Sequence, residues 1–271
     1  MKRSFFAWPY VVWMIVFTVL PLLFVAYYGF TDATGALSLD NWREFFTSGD
    51  LRTLWLSVRL ALECTAVCLV VGYPAAAFLA GKDMSRHKTL FVLILLPMWM
   101  NFLLRTYAMR TMLQDNGLIN AFFEAVGIGR KQMLYTEGAV LLGMVYNYLP
   151  FMILPIYTCM KKMDRRVVEA AEDLGANPLQ VFCKVSLPLS VPGIVSGITM
   201  VFMPAVTTFA ISKLLGGGMT FLIGDMIENM FMTLKNWQYG STISMSLLVV
   251  IIASVALLRK VDPDNQGGGL W

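Results

Sequence analysis

One ionisable pair lies inside an apolar run of the chain. Glu63 belongs to the run at residues 54–80, and Arg59 precedes it by four residues. Residues four apart share a helix face, so the preferred interpretation is an ion pair that neutralises both side chains. The alternative is that Glu63 attracts a cationic solute, because ionisable residues within a membrane usually face a bundle interior or an aqueous cavity.

Polar and aromatic side chains gather in the next two apolar runs. Trp99 and Asn101 lie in the run at 90–113, while Tyr146 and Tyr148 lie in a later run. Their hydrogen-bonding groups and ring faces would suit a passage for an amine. The alternatives are interfacial anchoring for Trp99 and a helix–helix hydrogen bond for Asn101.

Hydroxyl and carboxyl groups near the end of the chain extend this candidate pathway. Thr207 and Ser212 follow Pro204 and either face the passage or bond to the preceding helical turn. Asp225 and Glu228 lie three apart on a short helix predicted at residues 221–231, on the outer membrane surface. They could contact a solute or a docking protein, although a solvated helix face is the preferred interpretation.

Catalytic chemistry is not indicated by the sequence. A nucleotide-binding G-x-x-x-x-G-K-[ST] sequence does not occur, and the single histidine, His87, lies in a basic loop. The four cysteines match neither a disulfide nor a metal-binding pattern. The chain is therefore predicted to be a non-enzyme that holds no metal or cofactor.

Composition places these residues in a membrane protein. Hydrophobic residues form 58% of the 271 residues and charged residues only 14%, well below the quarter typical of soluble domains. The basic residues are dispersed and form no stripe for nucleic acid. Six apolar runs are long enough to span a bilayer as helices. They are residues 7–29, 54–80, 90–113, 139–160, 189–212 and 243–258.

Loop charges predict the orientation of these spans. The short loop at residues 82–88 carries Lys82, Arg86 and Lys88, and basic residues are enriched on the same side of the other spans. Because basic loops stay in the cytoplasm, both termini are predicted to be cytoplasmic. Residues 1–260 then form one transmembrane domain, and residues 261–271 a disordered tail.

A cytoplasmic loop at residues 161–188 carries the most specific pattern. It reads Glu169-Ala170-Ala171, three residues, Gly175, nine residues, Val185, one residue, Leu187-Pro188. Gly175 is predicted to adopt positive φ and end a first short helix, and Asn177-Pro178 to turn the chain into a second. This helix–turn–helix at residues 161–188, called the knob below, would be a rigid element to which a partner protein could bind.

This loop resembles the EAA loop of ABC-importer permeases, with Val185 in place of the usual isoleucine. The resemblance implies the all-α fold of type I importer permeases, an integral membrane protein with six transmembrane helices in a bacterial cytoplasmic (inner) membrane. It also implies coupling to a separate ATPase through Glu169, Ala170, Ala171, Gly175 and Leu187-Pro188. ATP and Mg would bind to that partner.

Further segments, including Pro97–Asn101 and Leu149–Met152, resemble the B-type permease of spermidine/putrescine importers. That family implies a second EAA-type permease, a dimeric cytoplasmic ATPase, an extracytoplasmic polyamine-binding protein and surrounding lipid as partners. Two alternatives remain. One is a permease of the same architecture for an opine, an iron carrier or an organic cation. The other is a non-transporting membrane scaffold, which the EAA loop argues against.

Overall fold

The described chain is helical almost throughout. The computed structural model describes residues 3–32, 34–81 and 84–261, so most of the predicted tail lies outside the described residues. Strand-like pairing within the described residues is limited to one bridge between Thr31 and Leu37. The helices are α1 Arg3–Met14, α2 Leu20–Gly29, α3 Asp40–Thr47, α4 Asp50–Leu79, α5 Met84–Trp99, α6 Phe102–Leu113, α7 Leu118–Ala125, α8 Glu137–Lys162, α9 Arg165–Asp173, α10 Pro178–Val181, α11 Leu187–Val206, α12 Ile223–Met232 and α13 Trp237–Val261.

Five continuous helical stretches of the described chain are long and apolar enough to cross a bilayer. They are Trp8–Gly29, Asp50–Leu79, Glu137–Lys162, Pro178–Val206 and Trp237–Leu258. A sixth crossing is made if Val92–Trp99 and Phe102–Ala125, which meet at 102°, count as one bent span. The all-helical class is therefore confirmed, and five of the six predicted runs correspond to continuous helical spans, while the run at 90–113 corresponds to the bent pair.

The third predicted span is bent, and its description as one helix over 90–113 was wrong. The α5 helix ends at Trp99, two residues after Pro97. Asn101 then starts α6, because its Oδ1 accepts hydrogen bonds from Leu103 N–H at 2.9 Å and Leu104 N–H at 3.3 Å. This side-chain cap satisfies the amides that a break in a membrane helix would otherwise expose.

The fifth span was predicted with the wrong bounds. It begins at Pro178 rather than at residue 189, because α10 continues through a π-helical turn, Phe182–Ser186, into α11. It ends at Val206, two residues after Pro204, so Thr207 and Ser212 lie beyond it. A separate π-helical turn covers Ser212–Gly216. The second helix of the predicted loop is thus continuous with the fifth span.

The centre of the bundle is formed by α4, α8 and α11, which pack on one another. Small residues permit close approach: a Cβ on Gly197 of α11 would lie 2.7 Å from Met152 Sδ of α8. By contrast, Gly29 is the only buried residue of the apolar stretch Trp8–Gly29. Within this chain α2 packs against α13, and the remaining surface of the first span is available for lipid or another subunit.

Candidate coupling loop and translocation site

The helix–turn–helix knob predicted at residues 161–188 is built by local hydrogen bonds. Asp164 starts α9 by accepting the Arg166 N–H at Oδ1, at 3.0 Å. Gly175 ends the turn with φ of 84°, as predicted, and its N–H donates to Glu172 O at 2.9 Å. Asn177 then starts α10 by a reciprocal capping box with Gln180. The predicted helix–turn–helix is confirmed.

The knob exposes an apolar edge. The side chains of Val167 and Leu174 are 46% and 89% exposed, and Ala170 lies between them on the helix surface. Ala171 is half-buried, while Gly175 is exposed with no atom near its missing Cβ position. An exposed apolar edge on a charged helix can bind a partner, because burying it there would remove it from water.

The opposite side of α9 faces the bundle across a cavity of about 270 Å³. Glu169 and Glu172 line it from α9, and the ends of α4 and α8 close it from the membrane side. The knob is therefore held at its ends and is not packed flat on the spans. Leu187 and Pro188 lie outside the knob, in the first turn of α11.

The pair of Arg59 and Glu63 is present, with Nε and Oε1 3.5 Å apart. The preferred interpretation of an ion pair thus agrees with the geometry. Arg59 also donates to Glu137, which begins α8. Glu137 was not predicted as a site residue, because Arg59 lies on a different helix and far from it in sequence. All three side chains are about half exposed in this chain, so the cluster of Arg59, Glu63 and Glu137 borders a surface that solute or a partner could reach.

Tyr148, Ser212 and Asp225 are brought into one buried polar region. The Tyr148 hydroxyl donates to Pro204 O at 3.2 Å and lies beside the Thr208 side chain. Ser212 and Asp225 are 1% and 2% exposed, so the solvated face preferred for Asp225 was wrong. Asp225 is buried because α12 inserts its first turn between α4 and the segment after α11. These residues are therefore buried between helices and do not border an open surface in this conformation.

Burial raises the pKa of the Asp225 carboxyl above its usual range. Interactions with the Ser212 side chain, with the Leu222 N–H and with the charge of Lys213 act in the opposite direction but do not reverse this shift. Asp225 is therefore a weaker acid than a solvated aspartate.

The other candidate pathway residues remain separate from that region. Trp99 is 88% exposed at the end of α5, and Tyr146 is 40% exposed on α8. The Thr207 hydroxyl donates to Met203 O at 3.1 Å, which is the bond to the preceding turn that was one of the two alternatives. Glu228 accepts a 2.6 Å bond from Lys213 Nζ, so it is paired and only partly solvated.

Two buried polar residues were not singled out as site residues. Asn147 Nδ2 donates to Gly143 O at 2.9 Å, while its Oδ1 is buried without a partner. Arg105 is 7% exposed, and its Nε and Nη1 also lack partners. The sequence signal that could have identified both residues is that each is a polar residue within an apolar run. Among the residues that the structure describes, no group of three His, Cys, Asp or Glu side chains could hold a metal ion.

Solved structures share this architecture. The chain superposes on a bacterial ABC transporter involved in import of the acidic polysaccharide alginate, with a TM-score of 0.76 and 16% identity over 96% of this chain and 97% of that one. A second structure of a bacterial alginate ABC transporter, in complex with an alginate pentasaccharide-bound periplasmic protein, gives a TM-score of 0.78 and 15% identity, covering 99% and 98% of the two chains. At these identities the likeness shows the fold alone.

Sequence relatives are closer. The spermidine/putrescine transport system permease protein PotB of Haemophilus influenzae is 37% identical over 92% of this chain and 93% of its own length. PotB of Escherichia coli is 35% identical, with coverage of 88% and 90%. The family model described as "Binding-protein-dependent transport system inner membrane component" matches residues 2–265. The chain belongs to this family of membrane permease components.

Proposed function

We propose that the chain is the permease subunit of an ATP-driven importer of spermidine and putrescine. The observation that carries this proposal is its 37% identity to a spermidine/putrescine permease, over nearly the whole length of both proteins. Relatives at this level of similarity retain the arrangement of the spans along which a solute moves. The alternating passage has two membrane conformations, each favoured by a different nucleotide state of the partner.

The knob transmits closure of a dimeric cytoplasmic ATPase, which binds ATP and Mg. Its exposed edge at Val167, Ala170 and Leu174 supports this role, because a partner can cover it. Glu169 lies on the side of α9 that faces the bundle, Ala171 is half-buried, and Gly175 fixes the angle to the next helix. Leu187 and Pro188 then carry the motion into the fifth span, since α10 and α11 are joined without a loop.

The remaining partners are a second EAA-type permease and an extracytoplasmic polyamine-binding protein. The mostly exposed first span supports contact with lipid or the second permease. The basic loop at residues 82–88 supports an orientation with both termini in the cytoplasm of a bacterial cell.

The passage is bordered by the accessible candidates Glu63, Trp99 and Tyr146. A polyamine would need partial compensation for its lost hydration, which carboxylates and ring faces supply. Asn101 and Thr207 lie at the ends of helices, where both side chains are exposed. High affinity resides in the binding protein, because a tight site in the membrane would slow release.

The test is uptake of labelled spermidine by the complex of both permeases and the ATPase in liposomes, with the binding protein added outside. We expect ATP-dependent uptake that unlabelled putrescine inhibits. A complex that lacks ATP hydrolysis is the control. Competition by an opine, an iron carrier or another organic cation, with no competition by putrescine, would contradict the polyamine assignment.

Three substitutions test the passage at equal amounts of complex. Trp99→Ala removes a ring face and should reduce uptake, whereas Tyr146→Phe keeps its ring and should have a milder effect. Glu63→Gln should have little effect if Glu63 serves the ion pair. Wild-type uptake in all three variants would contradict this position of the passage.

A further inference from the structure

The knob is connected to the fifth span through an irregular helical turn. This π-helical turn, Phe182–Ser186, is called the joint below and links the short helix α10 to α11. After it, the Leu187 N–H donates to Phe182 O, five residues earlier, where an α-helix would use the carbonyl four residues earlier. Pro188 follows, has no N–H to donate to Lys184 O and crowds that carbonyl, which accounts for the widened turn. The joint therefore lacks the regular bonding that makes an α-helix stiff.

The first span shows the same order of features. Its π-helical turn, Ile15–Val19, is also followed by a leucine and a proline, Leu20 and Pro21. The Leu20 N–H likewise donates to a carbonyl five residues earlier, Ile15 O. The widened turn is thus set by the local sequence, and a proline lies two residues after it in both spans.

One side chain of α4 contacts the chain at both ends of the joint. The Tyr73 ring meets the Phe182 ring edge to face, with centroids 5.6 Å apart and planes at 89°. The Tyr73 hydroxyl lies 3.0 Å from Ser190 Oγ, in the first turn of α11. Tyr73 therefore binds the first residue of the joint and also the span that follows it.

The direction of the bond between Tyr73 and Ser190 is fixed by a second hydrogen bond. Ser190 Oγ donates its proton to Leu187 O at 2.9 Å, so the Tyr73 hydroxyl is the donor to Ser190 Oγ. Ser190 is fully buried and Tyr73 is nearly so. Breaking this bond would leave buried polar atoms without a partner, which is costly.

We propose that Tyr73 is a positioning residue that holds the joint rigid, so that movement of the knob passes into α11 and does not bend the widened turn. The ring holds the end of the joint nearest the knob, and the hydroxyl holds the end nearest the span. Because Tyr73 belongs to α4, the same contacts tie α4 to this movement. The inference rests on the proposed function, since it concerns how ATP hydrolysis is coupled to uptake.

The ratio of ATP hydrolysed to spermidine imported by the reconstituted complex tests this role. A residue that only stabilised the fold would change the amount of active complex and not this ratio. Tyr73→Phe keeps the ring and removes the hydrogen bond, so the ratio should rise roughly two- to tenfold, the change that one lost hydrogen bond causes in an equilibrium. Tyr73→Leu removes both contacts and should raise it further. Ser190→Ala should also raise the ratio, and adding Tyr73→Phe to it should cause no further rise.

Tyr239→Phe is the matched control. Tyr239 is also buried, and its hydroxyl donates to Asp50, so it joins α13 to the start of α4, far along that helix from Tyr73. Both phenylalanine variants should lower the unfolding temperature, but only Tyr73→Phe should change the ratio. An unchanged ratio in Tyr73→Phe and Tyr73→Leu, or an equal rise in Tyr239→Phe, overturns the proposal.

A distance measurement separates this inference from the proposed function. Spin labels are placed on the exposed positions Leu179 of α10 and Val70 of α4, with the native cysteines replaced. Their separation is measured in complexes without nucleotide and with trapped ATP. We expect the same separation in both states when Tyr73 is present, and a change between the states in Tyr73→Leu. A change with Tyr73 present, or no change in Tyr73→Leu, overturns the proposal whatever the solute is. If the wild type imports no spermidine, the proposed function fails while this distance still tests the role of Tyr73.

Discussion

The helix–turn–helix knob, α9 and α10, and the short helix α12 both lie beside long spans, yet different interactions hold them. In the knob, Asp164 and Asn177 cap helices through neighbours within three residues, and Leu174 remains 89% exposed. In α12, Ile223 is fully buried and bonds to Ser57, 166 residues away in sequence. The knob keeps its shape alone, whereas α12 keeps its place only through the bundle.

This difference separates two mechanical roles. A helix pair with its own caps can move as a unit without loss of its internal hydrogen bonds. A helix whose first turn is buried must break contacts when it moves, so its movement costs free energy. The knob therefore suits transmission of force, and the buried first turn of α12 suits a gate with two positions.

The largest expected effect on stability is at the outer end. Gly224→Ala places a methyl group 2.5 Å from Thr208 O and 2.7 Å from Thr207 O, both of which are backbone atoms. Such overpacking should cost about 1–3 kcal/mol and lower the unfolding temperature in detergent. Gly138→Ala is the control, since its Cβ would approach nothing closer than 3.7 Å. Equal unfolding temperatures for the two variants would show that Gly224 is not tightly packed against the backbone of Thr207 and Thr208.

The next largest effect is expected at the knob, and on coupling more than on stability. Gly175→Val forces a β-branched residue to φ of 84°, which costs roughly 1–2 kcal/mol and distorts the turn. Solute-stimulated ATP hydrolysis and uptake should be lost. Gly49→Val is a matched control, because Gly49 has φ of 89° and equally open surroundings at the start of α4. Normal coupling in a well-expressed Gly175→Val complex would refute the role of this turn.

A smaller effect is expected when a cap is removed. Asn177→Ala deletes the capping box and should cost about 1 kcal/mol, felt in α10. Hydrogen exchange of the amides at 178–181 should increase, and coupling should weaken. Thr136→Ala removes the cap of α8, which accepts the Ala139 N–H at 3.1 Å. The increase there should be smaller, because Ala139 and Val140 of the same turn are buried. A larger increase in hydrogen exchange at the start of α8 than at α10 would contradict the comparison.

The smallest effect on stability is expected from Arg59→Gln. Its ion pairs with Glu63 and Glu137 are about half exposed, so they contribute about 0–1 kcal/mol. The unfolding temperature should fall only slightly relative to the wild type, and this difference should become smaller at high salt, which screens exposed ion pairs. A loss of uptake in Glu63→Gln with assembly intact would show instead that Glu63 attracts the solute, and that the interpretation as an ion pair is incomplete.

Sequence reasoning succeeded where the cause is local. The positive φ at Gly175 and the pairing of Arg59 with Glu63 follow from residues within a few positions. It failed where a helix that is distant in sequence determines the burial or the ion-pair partner of a residue. The burial of Asp225 depends on α12 meeting α4, and the second carboxylate on Arg59 comes from α8. The bend after Trp99 was missed because hydropathy measures the length of an apolar run and not its direction.

That bend affects how the protein is made. The α5 helix, Met84–Trp99, has 16 residues, about 24 Å of helix, and the chain then turns by 102° into α6. This is shorter than the roughly 20 apolar residues that a helix needs to span a bilayer by itself. In the finished fold α5 packs against α4 and α8. The third crossing should therefore settle late in biogenesis, after α8 has left the ribosome, so that chains truncated before Glu137 should leave this segment open to proteolysis.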